Sequence, residues 1–151
     1  MTEIILQLTG KQRSAIEQHA ERAYPDECCG AILGRLDGET RIVHDLIEME
    51  NTWDPEERRR RFLITAEEVM RVERAARERD LDVLGYYHSH PDAPAQPSEF
   101  DREHAWPWLM YPIASVRDGT IADLRSWQLS DDRSAYKEVP IQQRQESRTA
   151  S

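Results

Sequence analysis

Positive charge is scarce in this chain. Twenty Lys plus Arg face twenty-nine Asp plus Glu, and only Lys11 and Lys137 are lysines. The net charge of −9 argues against generic nucleic-acid binding, which needs a basic stripe to release counterions from phosphates. Only Arg58-Arg59-Arg60-Arg61 concentrates positive charge. Beside Glu56 and Glu57 it reads as a solvated loop or strand start, with contact to an acidic partner surface as the sharper alternative. Long apolar runs are missing too, so nothing spans a membrane, and no charged-then-apolar leader opens the chain. A cytoplasmic protein is expected. Cysteine is limited to the adjacent pair Cys28 and Cys29. A disulfide between neighbours would be strained, so a reduced interior is the simpler expectation. The lack of Cys-x-x-Cys removes the usual structural zinc knuckle and the nucleobase deaminase signature.

What is present fits one domain. At 151 residues and 17.6 kDa the chain is long enough to bury a core, although 32% charged residues and a mean hydropathy of −0.79 demand a charged surface. Ile4 to Leu8 alternates as a strand, and Thr9-Gly10-Lys11-Gln12 opens a helix that runs to about Tyr24, with Ile16, Ala20 and Ala23 at helical spacing. Cys29 to Arg35 and Thr40 to Glu50 form two strands joined at Asp37-Gly38. Asn51 to Glu57 reads as loop and Phe62 to Ile64 as a short strand. Thr65 caps a second helix to about Arg79, with Val69, Val72 and Ala76 inward. Leu81 to His90 is a strand, and Trp108 to Val116 and Thr120 to Leu129 form a hairpin across Asp118-Gly119. The expected fold class is α/β: a single-domain sandwich with a central mixed β-sheet flanked by helices. The domain is placed at residues 1–140. Tyr136 to Ile141 offers an edge strand limited by Pro140, and residues 141–151 are expected to be a disordered tail.

The segment with the most chemical content is His88-Ser89-His90-Pro91, followed by Ser98 and Asp101. On a strand, residues i and i+2 share a face, so His88 and His90 project side by side. Pro91 to Pro97 carries three prolines and should reverse the chain before Ser98 opens a short helix, returning Asp101 towards the histidines. Two His and one carboxylate form an established catalytic zinc set, with water in the fourth position. Ser98-Glu99-Phe100-Asp101 also fits a plain helix-start pattern in which the hydroxyl caps the helix. A hydrolytic site further needs a general base near the metal. Glu27, at the junction between Pro25 and the strand from Cys29, is the best candidate, but spacing alone does not choose it over Asp26 or Glu99. A thiol nucleophile paired with His88 or His90 is the competing chemistry, and the metal set explains both histidines without it. His104 reads as a surface group one turn beyond Asp101, Trp106 and Trp108 as core, and His19 and His44 as structural.

An upstream Glu before Cys-Gly, then His-Ser-His-Pro, then Pro-Ser-x-x-Asp, resembles the JAMM (MPN+) metalloproteases. The resemblance extends over roughly residues 3 to 129, and Tyr-Pro-Asp-Glu-Cys-Cys-Gly is most similar to the compact bacterial members. It implies His88, His90 and Asp101 as ligands of one Zn2+ per chain, and Glu27 as the base that activates water on the metal. It implies Ser98 as the donor to the developing oxyanion, a role compatible with capping because a hydroxyl can accept an amide and still donate. The implied activity is a zinc-dependent peptidase or isopeptidase, and the implied partner a ubiquitin-like or sulfur-carrier protein cut after its C-terminal Gly-Gly. A catalytically silent scaffold of the same fold is the alternative, against which the intact five-residue set argues.

Overall fold

A computed structural model describes residues 3–51 and 64–145 of the chain. Arg58 to Arg61, the expected loop after Asn51 and most of the expected strand at Phe62 to Ile64 lie outside the described residues. Eleven elements follow in order: β1 (Ile5–Thr9), α1 (Gly10–Ala23), β2 (Cys29–Asp37), β3 (Thr40–Met49), α2 (Ala66–Glu78), β4 (Asp82–Pro91), α3 (Glu99–His104), β5 (Tyr111–Arg117), β6 (Thr120–Leu129), β7 (Tyr136–Val139) and β8 (Ile141–Arg144). Their boundaries follow local chemistry. Thr9 caps α1 in a reciprocal box, its hydroxyl accepting the Gln12 amide at 3.0 Å while the Gln12 side chain accepts the Thr9 amide at 2.9 Å. The β5–β6 turn places Asp118 and Gly119 at φ +49° and +84°, the paired positive dihedrals of a tight hairpin turn.

The eight strands form one mixed sheet in the order β7-β6-β5-β4-β2-β3-β1-β8. β4 pairs parallel with β5, and β1 parallel with both β3 and β8; the remaining pairings are antiparallel. β7 and β8 occupy opposite edges, yet Pro140 alone separates them in sequence. The sheet must therefore roll until its edges meet at Pro140, whose carbonyl accepts the Leu6 amide of β1, the strand beside β8, at 3.0 Å. Proline suits this corner because it has no amide to leave unpaired. The boundary expected at residue 140 is thus corrected. Ile141–Arg144 belongs to the sheet, because β1 presents an open edge that pairs a polar sequence through its backbone, whatever the side chains. Residues 146–151 lie outside the described part.

Two cores line the two faces. Ile16 and Ala20 of α1 pack with Leu6, Leu8, Ile32, Val43, Tyr87 and Leu124 in the hollow of the rolled sheet. Val72 and Ala76 of α2, with Ala105 after α3, pack with Ala31, Leu33, Tyr86, Tyr111 and Leu129 on the other face. Val69 is only partly buried. A register shift between Ile32 and Leu33, opposite Leu84, resets the alternation of β4. Tyr87 then joins the α1 core while Tyr86 joins the α2 and α3 side. That shift decides which way the histidines of β4 face.

Three expectations fail outside the site. Trp106 and Trp108 are 43% and 67% exposed rather than core, because Pro107 sits in the irregular α3–β5 connection, which has no packed periodicity to bury them. His44 is exposed on β3 rather than structural. β5 begins at Tyr111, three residues later than expected. His19 is buried as expected, its Nδ1 2.7 Å from the Tyr87 hydroxyl.

Candidate metal centre

β4 is central, between β2 and β5, so its backbone is fully engaged and its side chains are rigidly aimed. His88 pairs across to Cys29 on one side and Ile113 on the other, and His90 to Ser115. Both imidazoles are buried, and their Nε2 atoms stand 3.1 Å apart. The intervening Ser89 does different work: its Oγ accepts the Cys28 amide at 2.8 Å, and its own amide donates to the Cys28 carbonyl at 3.2 Å. Ser89 therefore extends the β2–β4 ladder by one residue and fixes the chain next to Glu27. Asn51 adds a second tether, donating to the Glu27 carbonyl at 3.0 Å.

The proline-rich return is pinned to the sheet rather than loose. The Trp127 indole donates to the Ala95 carbonyl at 2.9 Å and the Ser115 hydroxyl to the Ala93 carbonyl at 2.5 Å. His90 Nδ1 lies 2.8 Å from the Pro94 carbonyl. A carbonyl can only accept, so Nδ1 is the donor in this contact, and Nε2 is the nitrogen that faces His88 and Asp101. The return ends at Ser98, which caps α3: Ser98 Oγ accepts the Asp101 amide at 3.1 Å, and Asp101 Oδ2 accepts the Ser98 amide at 2.8 Å. The expected cap is thus present, and Ser98 is exposed at the rim of the hollow that Glu27 and His90 line.

Asp101 Oδ2 stands 3.2 Å from His88 Nε2 and 3.1 Å from His90 Nε2. Zinc held by N and O donors at roughly 2.0–2.1 Å in tetrahedral array spaces those donors about 3.3 Å apart. The triangle of two Nε2 atoms and one Oδ2 atom thus fits one face of such a tetrahedron. Glu27 also reaches the imidazoles, with donor atoms of Glu27, His88 and His90 within 4.8 Å of one another. Of the two carboxyl groups, Asp101 makes the tighter set with the imidazoles. Asp26 is only partly buried and Glu99 is exposed, whereas Glu27 is 4% exposed.

Electrostatics separates the two carboxyl groups. Burial, helped by the charge of Asp101, pushes Glu27 up to about 9. Glu27 Oε1 is buried without a hydrogen-bond partner among the described residues. An orphaned buried carboxyl oxygen is costly unless something polar comes to it. Burial would raise Asp101 as well, but the charge and hydrogen bonds of His88 and His90 outweigh it and hold that carboxyl well below the usual range. Cys28 and Cys29 are free and buried, with burial pushing both thiols to about 12, so neither is a competent nucleophile at neutral pH.

Two hollows open onto the imidazoles. One is lined by Glu27, His90, Pro94, Gln96, Pro97 and Ser98. The other, more aromatic, is lined by Tyr86, His88, Phe100, Asp101, Trp106 and Tyr136. His104 borders the second while its Nδ1 lies 2.8 Å from the Phe100 carbonyl of its own helix. Trp127 carries no mark in the sequence that ties it to this site, since its contact is to a backbone carbonyl; Ser89 is marked only by standing between His88 and His90.

Two imidazoles and two carboxyl groups of opposite electrostatic character thus converge at hollows in the surface, donor types that can hold a divalent ion. Comparison with known proteins gives the family. Residues 10–130 match the model for prokaryotic homologs of the JAB domain, and the chain belongs to that family. It is 33% identical over 120 residues, 76% of this chain and 84% of the other, to the desampylase of Haloferax volcanii. It is likewise 33% identical over 130 residues, 85% of this chain and 84% of the other, to the CysO-cysteine peptidase of Mycobacterium tuberculosis. A solution structure from Desulfitobacterium hafniense superposes with a TM-score of 0.81 at 30% identity, covering 94% of each chain. Among the described residues no helix is long and apolar enough to cross a membrane.

Proposed function

We propose that this chain is a zinc-dependent peptidase that hydrolyses the bond following the C-terminal Gly-Gly of a ubiquitin-like or sulfur-carrier protein. One observation carries the reading: His88 Nε2, His90 Nε2 and Asp101 Oδ2 converge within 3.2 Å beside the orphaned carboxyl oxygen of Glu27. His88, His90 and Asp101 would hold the ion, which would supply a Lewis acid and make water more acidic. The names of the desampylase and the CysO-cysteine peptidase support the substrate class.

The roles of the remaining residues follow from position and protonation. Glu27 takes a proton from the attacking water, and its burial sets a basicity suited to passing that proton on to the leaving amine. The positive charge of a bound ion would favour the ionised form of Glu27, the form that accepts a proton. Ser98 uses its lone pair on the Asp101 amide and keeps its O–H for the carbonyl oxygen of the scissile bond as charge develops there. His90 is held by the Pro94 carbonyl at Nδ1, so the proton given up to a bound ion would leave from Nε2. Glycines on the acyl side of the bond let the substrate backbone approach closely between Ser98 and the histidines.

The test is mass spectrometry of a sulfur-carrier protein bearing residues beyond its Gly-Gly, incubated with the wild type and with Glu27→Ala after metal quantification. Cleavage after Gly-Gly by the wild type alone is the expected result. One zinc per chain without cleavage would overturn the substrate class, and neither zinc nor cleavage would overturn the enzyme reading in favour of a scaffold.

A further inference from the structure

We infer that Arg133 is a positioning residue for the metal site: its guanidinium latches α3, and so holds the Asp101 carboxylate against His88 and His90. This rests on the reading of Asp101 as a metal ligand. α3 has six residues, too few to be stable by its own hydrogen bonds. Its first turn is closed by Asp101 itself through the capping box with Ser98, so the ligand cannot be an independent anchor. At the other end, helix carbonyls lack intrahelical donors. Arg133 meets them: Nη1 donates to the Ala105 carbonyl at 2.7 Å, and Nη2 to the Arg102 and Glu103 carbonyls at 3.3 Å each. Arg102 returns the contact, its Nη1 donating to the Arg133 carbonyl at 3.0 Å. Helix and turn are thus stitched in both directions.

The turn that presents Arg133 is built to hold still. The Arg133 amide donates to the Ser130 carbonyl at 2.9 Å, and Ser130 Oγ accepts the amides of Ser134 and Ala135 at 3.2 Å each. Asp132 Oδ1 accepts the Ser134 amide at 3.0 Å and the Ser130 hydroxyl at 2.7 Å. Within it Arg133 adopts φ +63°, a left-handed conformation that glycine takes without penalty and arginine does not. An arginine there serves a purpose the backbone does not. Its planar fork addresses several carbonyls at once, which the point charge of a lysine ammonium does not. Apolar packing of Ala105 against Tyr111, Leu129 and Tyr136 brings α3 to the sheet, but directional bonds are needed to fix its rotation. Rotation is what the 3.1 and 3.2 Å ligand triangle is sensitive to.

The experiment is titration of the full chain with Co2+ and Zn2+, reading affinity and the visible Co2+ spectrum, for wild type, Arg133→Gly and Arg133→Lys. Each is made with Asp101 intact and in the Asp101→Asn background. Glycine deletes the latch while suiting the positive φ, so the turn survives. With Asp101 intact, Arg133→Gly should weaken metal binding about tenfold, at the lower end of what supporting hydrogen bonds contribute to metal sites, and alter the Co2+ spectrum. Arg133→Lys should recover part of the loss. In the Asp101→Asn background Arg133→Gly should cause no further loss. Unchanged affinity and spectrum in Arg133→Gly, or an equal loss in both backgrounds, would overturn the latch while leaving the ligand assignment standing. Undiminished binding by Asp101→Asn alone would overturn the ligand assignment itself.

Discussion

Glu27 and Asp101 are buried in the same site and driven to opposite protonation states. Burial, with the charge of Asp101 added to it, leaves Glu27 protonated at neutral pH, at about 9; the imidazoles of His88 and His90 keep Asp101 ionised despite similar burial. Two carboxyl groups so separated are the arrangement that lets one bind a cation and the other move a proton.

That separation has a cost in stability, and its sign is fixed. In the unfolded chain Glu27 titrates near 4.5, in the metal-free fold near 9. Between those values the native state holds a proton that the unfolded state has lost, so metal-free stability falls as pH rises through this window. Glu27→Gln removes the titration. Metal-free Glu27→Gln should therefore exceed wild type in stability at pH 8 by on the order of a few kcal/mol, with the gap closing by pH 4. Urea unfolding in chelator across that range measures it. A gap independent of pH would overturn the protonation assignment. The same variant should lose about 10²- to 10⁴-fold in activity.

Metal binding should be visible without any substrate. A ligand held only by the native state raises stability by mass action, about 2.7 kcal/mol at a hundredfold excess over Kd. Zinc should raise the Tm of wild type and of Ser98→Ala, but not of His90→Ala. Calorimetry with and without zinc decides this, and equal shifts in all three would place the ion elsewhere.

Ser89 and Ser98 share a residue type but should fail differently. Ser98→Ala removes an exposed donor and a helix cap, so kcat should fall by about 10²- to 10³-fold while stability drops only about 1 kcal/mol. Ser89→Ala leaves the buried Cys28 amide without its side-chain acceptor, a loss of about 1–3 kcal/mol in stability, and shifts Glu27 without touching substrate. Parallel unfolding and kinetic measurements separate the pair. A larger stability loss for Ser98→Ala would invert the assignment.

Much of this was legible because the relevant physics is local. Two histidines two apart on a strand, a proline-rich reversal and a Ser-x-x-Asp helix start specify their own geometry, and alternation with turn residues placed the elements to within a few positions. The choice of Glu27 over Asp26 and Glu99 was not local: it depends on the register of β2 against β4, set by a shift opposite Leu84 that no periodicity announces. The same holds for β8, whose polar Ile-Gln-Gln-Arg carries no strand signal and pairs because rolling the sheet brings the β1 edge to it. Arg133 supports Asp101 from thirty-two residues away, through its guanidinium and through backbone carbonyls that no sequence pattern records.

Close backbone approach beneath the site gives the last prediction. A Cβ built on Gly85 of β4 would lie 1.8 Å from the Met110 carbonyl oxygen, and on Gly34 of β2 1.8 Å from that of Ile42. In both cases the obstruction is backbone, so no side chain can swing aside. At Gly85 the obstructing segment is also bonded in place, with the Tyr86 amide donating to the Met110 carbonyl at 3.1 Å and the Met110 amide to the Leu84 carbonyl at 2.9 Å. Gly85→Ala must therefore push β4 away from residue 110, three residues before His88. The expected result is a loss of roughly 3 kcal/mol or more together with weakened zinc binding. Gly38→Ala is the control. Its φ of +60° makes it cost about 1–2 kcal/mol, but no atom lies within 4 Å of the added methyl and the turn is remote from the site, so zinc affinity should not change. Denaturation and zinc titration of the two variants, side by side, test whether closeness of backbones or glycine content as such supports the histidines. Equal zinc affinities would refute the former.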